Sequence, residues 1–308
     1  MTGTSRRHRA RSRPPSVAAA DDRHRRLPGL ARRPAVLAVL AVAAVVIAVL
    51  ATVAVVASAR GPGTRGPGPR QLAHGRGAIQ CQSAFVPAFF SPGPGWTQAI
   101  TSKPPPSVMI LDITTTGAGT APDSGLQAEV KQALAAKIKV IGYISTDYGR
   151  RPPSQVEADV RNYRAWYNVS GIFLDLAAEG PAQLGYYRGL AGYIRQVDPG
   201  ATIWLNPGTY PDPRYMSIAD VVMVSEGPYA SYLHQQVPNW AYHYPAAKFA
   251  HTIFATPSSQ LANAIRLSRS RHAGHVYVTD QGGSNPYDGL PSYWAREHAT
   301  IRAGCASA

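Results

Sequence analysis

The sequence predicts an α/β protein, a (β/α)₈ barrel of the TIM type, carried behind a basic tail, one apolar span and a Gly/Pro linker. Three observations lead there. Eight apolar runs recur at broadly even intervals between residues 83 and 280. Each is apolar on both faces rather than alternating, the pattern of a parallel strand covered on two sides. Helix-like stretches separate most of them within residues 79–308, which is what a (β/α)₈ barrel requires. A doubly wound open sheet is the alternative; it would use fewer strands and a Gly-rich nucleotide turn. The nearest such turn, TTTGAGTAP at 114–122, lacks the GxGxxG form and reads as a loop.

The strand runs are SAFVPAFF (83–90), SVMILDI (107–113), KVIGYIS (139–145), GIFLDL (171–176), ATIWLNP (201–207), DVVMVSE (220–226), FAHTIFAT (249–256) and HVYVTD (275–280). Among the helices, GLQAEVKQALAAK (125–137) sets Leu126, Val130 and Leu134 on one face. SQVEADVRNYRAWY (154–167) follows Pro152 and Pro153 and offers Ser154 with Glu157 as a capping box. PAQLGYYRGLAGYIRQV (181–197) opens on a proline, which a first helical turn accepts. SSQLANAIRLSRSR (258–271) and PSYWAREHATIR (291–302) follow, and the connections after the fifth and sixth strands look short or irregular.

Ahead of the barrel the composition changes. Residues 1–76 hold 14 Arg and 2 Asp, so they carry +12 of the chain's net +14. The barrel region is nearly neutral, which removes the basic patch that nucleic-acid binding needs. Residues 1–34 are Arg-, Pro- and Ser-rich and cannot bury a core, so they are expected to be a disordered, solvated tail. Residues 35–59 contain no charge, and a bilayer takes roughly 20 apolar residues to cross. Ten Arg precede this segment, which places the tail in the cytoplasm and the barrel outside, with 35–59 as the anchor. Ala57-Ser58-Ala59 also has the small-x-small form of a cleavage site, which would release the domain instead. Residues 60–78 read as an extended linker.

The two cysteines, Cys81 and Cys305, stand at the two ends of the barrel region. In an oxidising compartment an end-to-end disulfide is expected. No His or Cys partner stands at ligand spacing, so no metal is expected, and the chain is expected to act as a monomer.

In such a barrel the site gathers at the C-terminal ends of the strands. Several runs end in a polar residue there: Asp112, Thr146 with Asp147, Asp175, Asn206, Glu226 and Asp280. Caps and turns account for Asp112, Asp147, Asn206 and Asp280 equally well. Asp175 and Glu226 each follow at least four apolar or small residues and are the stronger candidates. Aromatic residues lie in or near the same loops, among them Trp96, Tyr143, Tyr148, Tyr210, Tyr229, Tyr232, Tyr287 and Trp294. Acids with aromatics suit a sugar polymer, and glycoside hydrolysis uses two carboxyl groups flanking the bond. Asp175 and Glu226 are the candidate pair, with Asp112, Tyr143, Tyr148, Asn206 and Asp280 lining the cleft. No GxSxG or HExxH is present, which argues against a serine α/β-hydrolase and a zinc protease. Asn168-Val169-Ser170 matches a glycosylation pattern but abuts a buried strand.

The stretches VPAFFSPGPGW (86–96), VIGYISTDYGRR (140–151), the Y-x-x-W-Y-x-V-x-G-I-F-L-D run (163–175), NPGTYPDPRY (206–215), the A-D-V-V-M-V-S-E-G run (219–227) and NPYDGLPSYW (285–294) resemble the spherulation-specific family 4 (spherulin-type) proteins. The resemblance implies a (β/α)₈ barrel, no metal or organic cofactor, and secreted or surface glycoside hydrolases, endo-α-1,4-galactosaminidases acting on galactosaminogalactan. In the hydrolytic relatives the fourth strand ends in a motif resembling F-L-D-E, and a Glu follows the sixth. Asp175 matches that Asp and Glu226 the later Glu, but Leu176 stands where the second acid does. The second strand also departs: LDITTTGAG (111–119) replaces an Asn-Pro and a Ser-Gly-Pro-Gly-like loop. Three outcomes follow from Leu176. Asp175 and Glu226 suffice, Glu179 swings in, or the barrel binds glycan without cleaving it.

Overall fold

A computed structural model describes residues 81–306. The expected tail, the span at 35–59 and the linker at 60–78 lie outside the described residues. Among the described residues no helix is long and apolar enough to cross a membrane.

All eight expected strands form: β1 (Ser83–Ala88), β2 (Val108–Leu111), β3 (Lys139–Ser145), β4 (Gly171–Asp175), β5 (Thr202–Leu205), β6 (Val221–Pro228), β7 (Phe249–Phe254) and β8 (His275–Val278). They pair in parallel in chain order, and β8 returns to β1 to close the barrel. That closure rules out the open doubly wound alternative. Its interior is filled by side chains. Phe85 of β1 and Trp204 of β5 stand on opposite walls, yet their rings meet edge to face at 5.3 Å.

The helices are α1 (Pro94–Thr101), α2 (Ser124–Ala135), α3 (Pro153–Tyr167), α4 (Leu184–Val197), α5 (Tyr229–Tyr232), α6 (Leu261–Ser270) and α7 (Trp294–Ala306). The sequence patterns miss α1, an eight-residue helix that buries only Trp96 and Ala99. The capping box at Ser154 does not form. Pro153, with its φ already fixed near helical values, starts α3 one residue earlier, and Pro152 makes no side-chain cap. After β5 and β6 the chain uses short 3₁₀ turns and the four-residue α5, as the irregular patterns there predict.

The TTTGAG stretch is a loop. Ala118 N donates to Asp159 Oδ1 at 3.0 Å, Arg151 Nη1 donates to Thr116 O at 2.7 Å, and a half-buried Arg151–Asp159 ion pair at 2.5 Å ties both to α3. Asn168 ends α3 in the left-handed conformation, so this Asn serves as a helix C-cap. Cys81 and Cys305 are free thiols, and burial, then the neighbouring Cys81 thiol, push the Cys305 thiol up.

β4 and β5 approach closely at Gly171, where an added Cβ would fall 2.0 Å from Thr202 O. Gly171→Ala is therefore expected to lower Tm by more than about 5 °C. Gly189→Ala on the exposed face of α4, where an added Cβ meets nothing within 4 Å, is expected to stabilise by about 0.5–1 kcal/mol. Thermal melts of both variants check the pair; an unchanged Tm for Gly171→Ala would contradict the close approach.

Candidate functional site

The strand register sets the site. Tyr143, Phe173 and Trp204 lie side by side on β3, β4 and β5, and Ser145 is level with Asp175. Side chains on a strand alternate, so Asp175, two residues beyond Phe173, shares its inward face. Asn206 bears the same relation to Trp204. Both therefore point into the C-terminal mouth.

There one amide holds two carboxylates. Asn206 Nδ2 donates to Asp175 Oδ1 at 2.7 Å and to Glu226 Oε2 at 2.6 Å. These two oxygens are thus no farther apart than the two lengths laid end to end, 5.3 Å. Asn206 cannot turn away easily, because its Oδ1 accepts the N–H of Gly208 at 2.9 Å. The outer oxygen of each acid has its own phenol: Tyr143 OH donates to Asp175 Oδ2 at 2.8 Å, and Tyr287 OH to Glu226 Oε1 at 2.6 Å. Phe89 stands between those two tyrosines, edge-on to each at 5.4 and 5.5 Å.

The backbone under the pair is equally tied. Asn206 N donates to Leu174 O, and Ala177 N to Asn206 O. The Thr146 hydroxyl donates to the carbonyls of Asp175 and Leu176 at 2.8 and 2.9 Å. Tyr148 N donates to Leu176 O at 2.7 Å. Asp147, Tyr148 and Leu176 all adopt positive φ (48°, 55° and 46°). Each such residue costs roughly 1–3 kcal/mol and persists only where its surroundings enforce it.

Burial and the neighbouring Glu226 charge push the Asp175 carboxyl up to about 7, against the hydrogen bonds from Tyr143, the Leu176 N–H and Asn206 that favour its ionised form. The residue keeps a little exposure, but protein atoms enclose its carboxylate, so burial is the larger effect. Asp112, one residue beyond β2 and two beyond the inward-facing Ile110, is a third acid here. Burial and then the charge of Asp175 hold it at about 7 as well, and its Oδ1 is enclosed with no hydrogen-bond partner. The Tyr143 hydroxyl is raised by burial and by Asp175 and stays protonated as a donor.

Six of the seven residues singled out in the sequence come together or close by. Asp175, Glu226, Asn206, Tyr143 and Asp112 form the cluster. Tyr148 stands at its rim, 41% exposed, raised by its partial burial and by the charge of Asp175. Asp280 does something else: both its oxygens take bonds from Ser292, from its N–H at 3.0 Å and from its hydroxyl, fixing the turn into α7. Trp96, Tyr229, Tyr232 and Trp294 are buried core residues. Glu179 is exposed and engages Asp212 through its backbone carbonyl. Tyr287, noted only as a loop aromatic, and Phe89 belong to the cluster. Their sequence signal was position alone, the NPYDG loop and the end of the first strand. Among the described residues no group of three His, Cys, Asp or Glu could hold a metal ion.

Fold and site together define a (β/α)₈ barrel protein with two hydrogen-bonded acids paired at its mouth. The chain belongs to the spherulation-specific family 4, whose family model matches residues 83–301. It is similar to spherulin-4 of Physarum polycephalum, 30% identical over 233 residues, covering 71% of this chain and 70% of that protein. The crystal structure of Aspergillus clavatus Sph3 in complex with GalNAc is similar in fold, with a TM-score of 0.64 at 23% identity, over 72% of this chain and 98% of that one. The glycoside hydrolase domain of PelA from Pseudomonas aeruginosa matches at a TM-score of 0.39 and 17% identity, over 65% and 95%, too distant to carry an argument.

The raised Asp112 has a consequence for stability. A carboxyl whose folded pKa, about 7, exceeds its ordinary 3.8 stabilises the fold at low pH and loses that contribution as pH rises through about 7. Asp112→Asn removes the ionisation and is expected to raise Tm by a few degrees near pH 8 and leave it unchanged near pH 4. Melts at both pH values check this; an equal shift at each would show that shape, not charge, decides.

Proposed function

We propose that this protein is an extracellular glycoside hydrolase acting on an amino-sugar (galactosamine-type) polysaccharide. It works as a monomer and is held at the membrane by residues 35–59. The observation that carries the hydrolase reading is the Asn206 amide clamping Asp175 and Glu226 within 5.3 Å of each other at the barrel mouth. The bridged oxygens fall short of the about 6.5–9.5 Å that inversion needs to admit a water, which favours the closer arrangement, about 5–5.5 Å between carboxyl groups, of double displacement with retention. In this reading one acid attacks the anomeric carbon while the other protonates the glycosidic oxygen. Water then releases the glycosyl group, and the second acid takes its proton.

The charge state supports this. Like charges this close do not both ionise freely, so near neutral pH the pair retains a proton. Acid-plus-nucleophile chemistry needs that state. Tyr143 and Tyr287 orient the two outer oxygens, and the exposed Tyr148 ring offers a face for a pyranose. Family membership supports the substrate class, as does the GalNAc named with the Sph3 structure. The tail's ten Arg before an uncharged segment support the location.

Leu176 favours a second reading, a noncatalytic glycan-binding barrel. It is 36% exposed beside Asp175 and brings no proton-transfer group to the mouth.

Asp175→Asn is expected to reduce hydrolysis of an α-linked galactosamine polymer by about 10²–10⁴-fold or more with the fold intact, read by reducing-end release and by circular dichroism. Unchanged activity would remove Asp175 from the mechanism. Wild type that retains labelled polymer yet releases no oligosaccharide would favour the binding reading, especially if Leu176→Glu gains activity.

A further inference from the structure

The barrel has one seam that no loop holds. β1 and β8 pair through only two register positions, Ser83 with His275 and Ala84 with Val276, where β1 and β2 share four. The β5–β6 seam is equally short, but those strands are consecutive and the loop between them keeps them together. β1 and β8 are the sequence extremes of the barrel, so nothing in the chain limits their separation once the pairing opens.

Inside the barrel the Phe85 and Tyr277 rings meet across that seam at 6.1 Å, and Ala84 packs with Val276 in a buried apolar cluster, but the contacts at its N-terminal edge are polar. Ser83 N donates to Gly274 O at 2.9 Å. Gln82 Nε2 donates to Ser268 Oγ and Ala273 O, both at 2.8 Å. A cavity of about 230 Å³ lies against it, lined by Gln82, Pro104, Ser107, His298, Ile301 and Cys305. Gln82 Oε1 and His298 Nε2 are buried without partners. A void and unpaired polar atoms weaken packing where the barrel must close.

The two thiols sit across this place. Cys81 stands two residues before β1 and is exposed, whereas Cys305 lies in the last turn of α7, the helix that follows β8, and lines the same cavity as Gln82, the residue next to Cys81. We propose that Cys81 and Cys305 form an intramolecular disulfide that locks the β1–β8 seam. The Cys81 thiolate attacks the disulfide of an oxidant of the glutathione or dithiol-exchange class and makes a mixed disulfide. Cys305 then loses its proton and attacks the Cys81 sulfur, and the oxidant leaves as thiol. The protein gives up two electrons and two protons, which the oxidant's disulfide takes up as two thiols. An oxidant of this kind fits the extracellular location proposed above; the lock itself does not depend on hydrolase activity.

The test treats the full chain, in detergent, with oxidised or reduced glutathione. Intact mass and thiol titration read the bond, and Tm and hydrogen exchange read its effect. The oxidised monomer should lose two hydrogens in mass, show no reactive thiol and yield an 81–305 cross-linked peptide. Its Tm should exceed that of the reduced form by about 5 °C or more. Amide exchange in β1 and β8 should slow on oxidation while β4 stays unchanged. Cys81→Ser with Cys305→Ser should match the reduced wild type and ignore the oxidant. Two thiols that persist after oxidation, a disulfide-linked dimer, or a bond that leaves β1 and β8 exchange unaltered would each overturn the proposal.

Discussion

The site depends on a single amide nitrogen. Asn206 donates to Asp175 and to Glu226, and its own oxygen is pinned by Gly208 N–H. Without such a donor, the enclosed Asp175 carboxylate and the more exposed Glu226 would repel each other and drift apart. With it, each keeps an oxygen on the shared amide and gives the other to a tyrosine. The spacing of the two acids is thus fixed by hydrogen-bond lengths rather than by loops.

That arrangement is costly to hold, and the surroundings reflect this. Burial and mutual repulsion push the Asp175 and Asp112 carboxyls up to about 7. Three non-glycine residues at the ends of β3 and β4 take left-handed backbone conformations, with Thr146 and Tyr148 bonded to the carbonyls beneath the pair. Strain and raised pKa values at one rim, over a barrel filled with apolar side chains, are the signature of a site retained against stability.

The fold was legible because its signal is repetitive. Eight two-sided apolar runs with helices between them leave few arrangements, and every expected strand formed. The errors were local. The Ser154 cap lost to the stronger start that Pro153 provides, and α1 buries too few residues to show a helical period. Of the site, Asp175 and Glu226 stood out as acids ending apolar runs. Asp280, with a similar pattern, proved to be a cap for Ser292, because a terminal acid's role depends on which donors meet it in space.

The sequence by itself determined the eight strands, the placement of the acids at their C-terminal ends, and the family resemblance, since these follow from local periodicity and motif order. The tertiary structure alone decided that Asn206, besides closing a turn onto Gly208, is the bridge between the two acids. It also brought Tyr287 from a distant loop to Glu226, made Asp112 a third acid in the mouth, and set Cys305 beside the start of β1, on a cavity it shares with Gln82. Each of these joins residues far apart in the chain, and only closure of the barrel sets such distances.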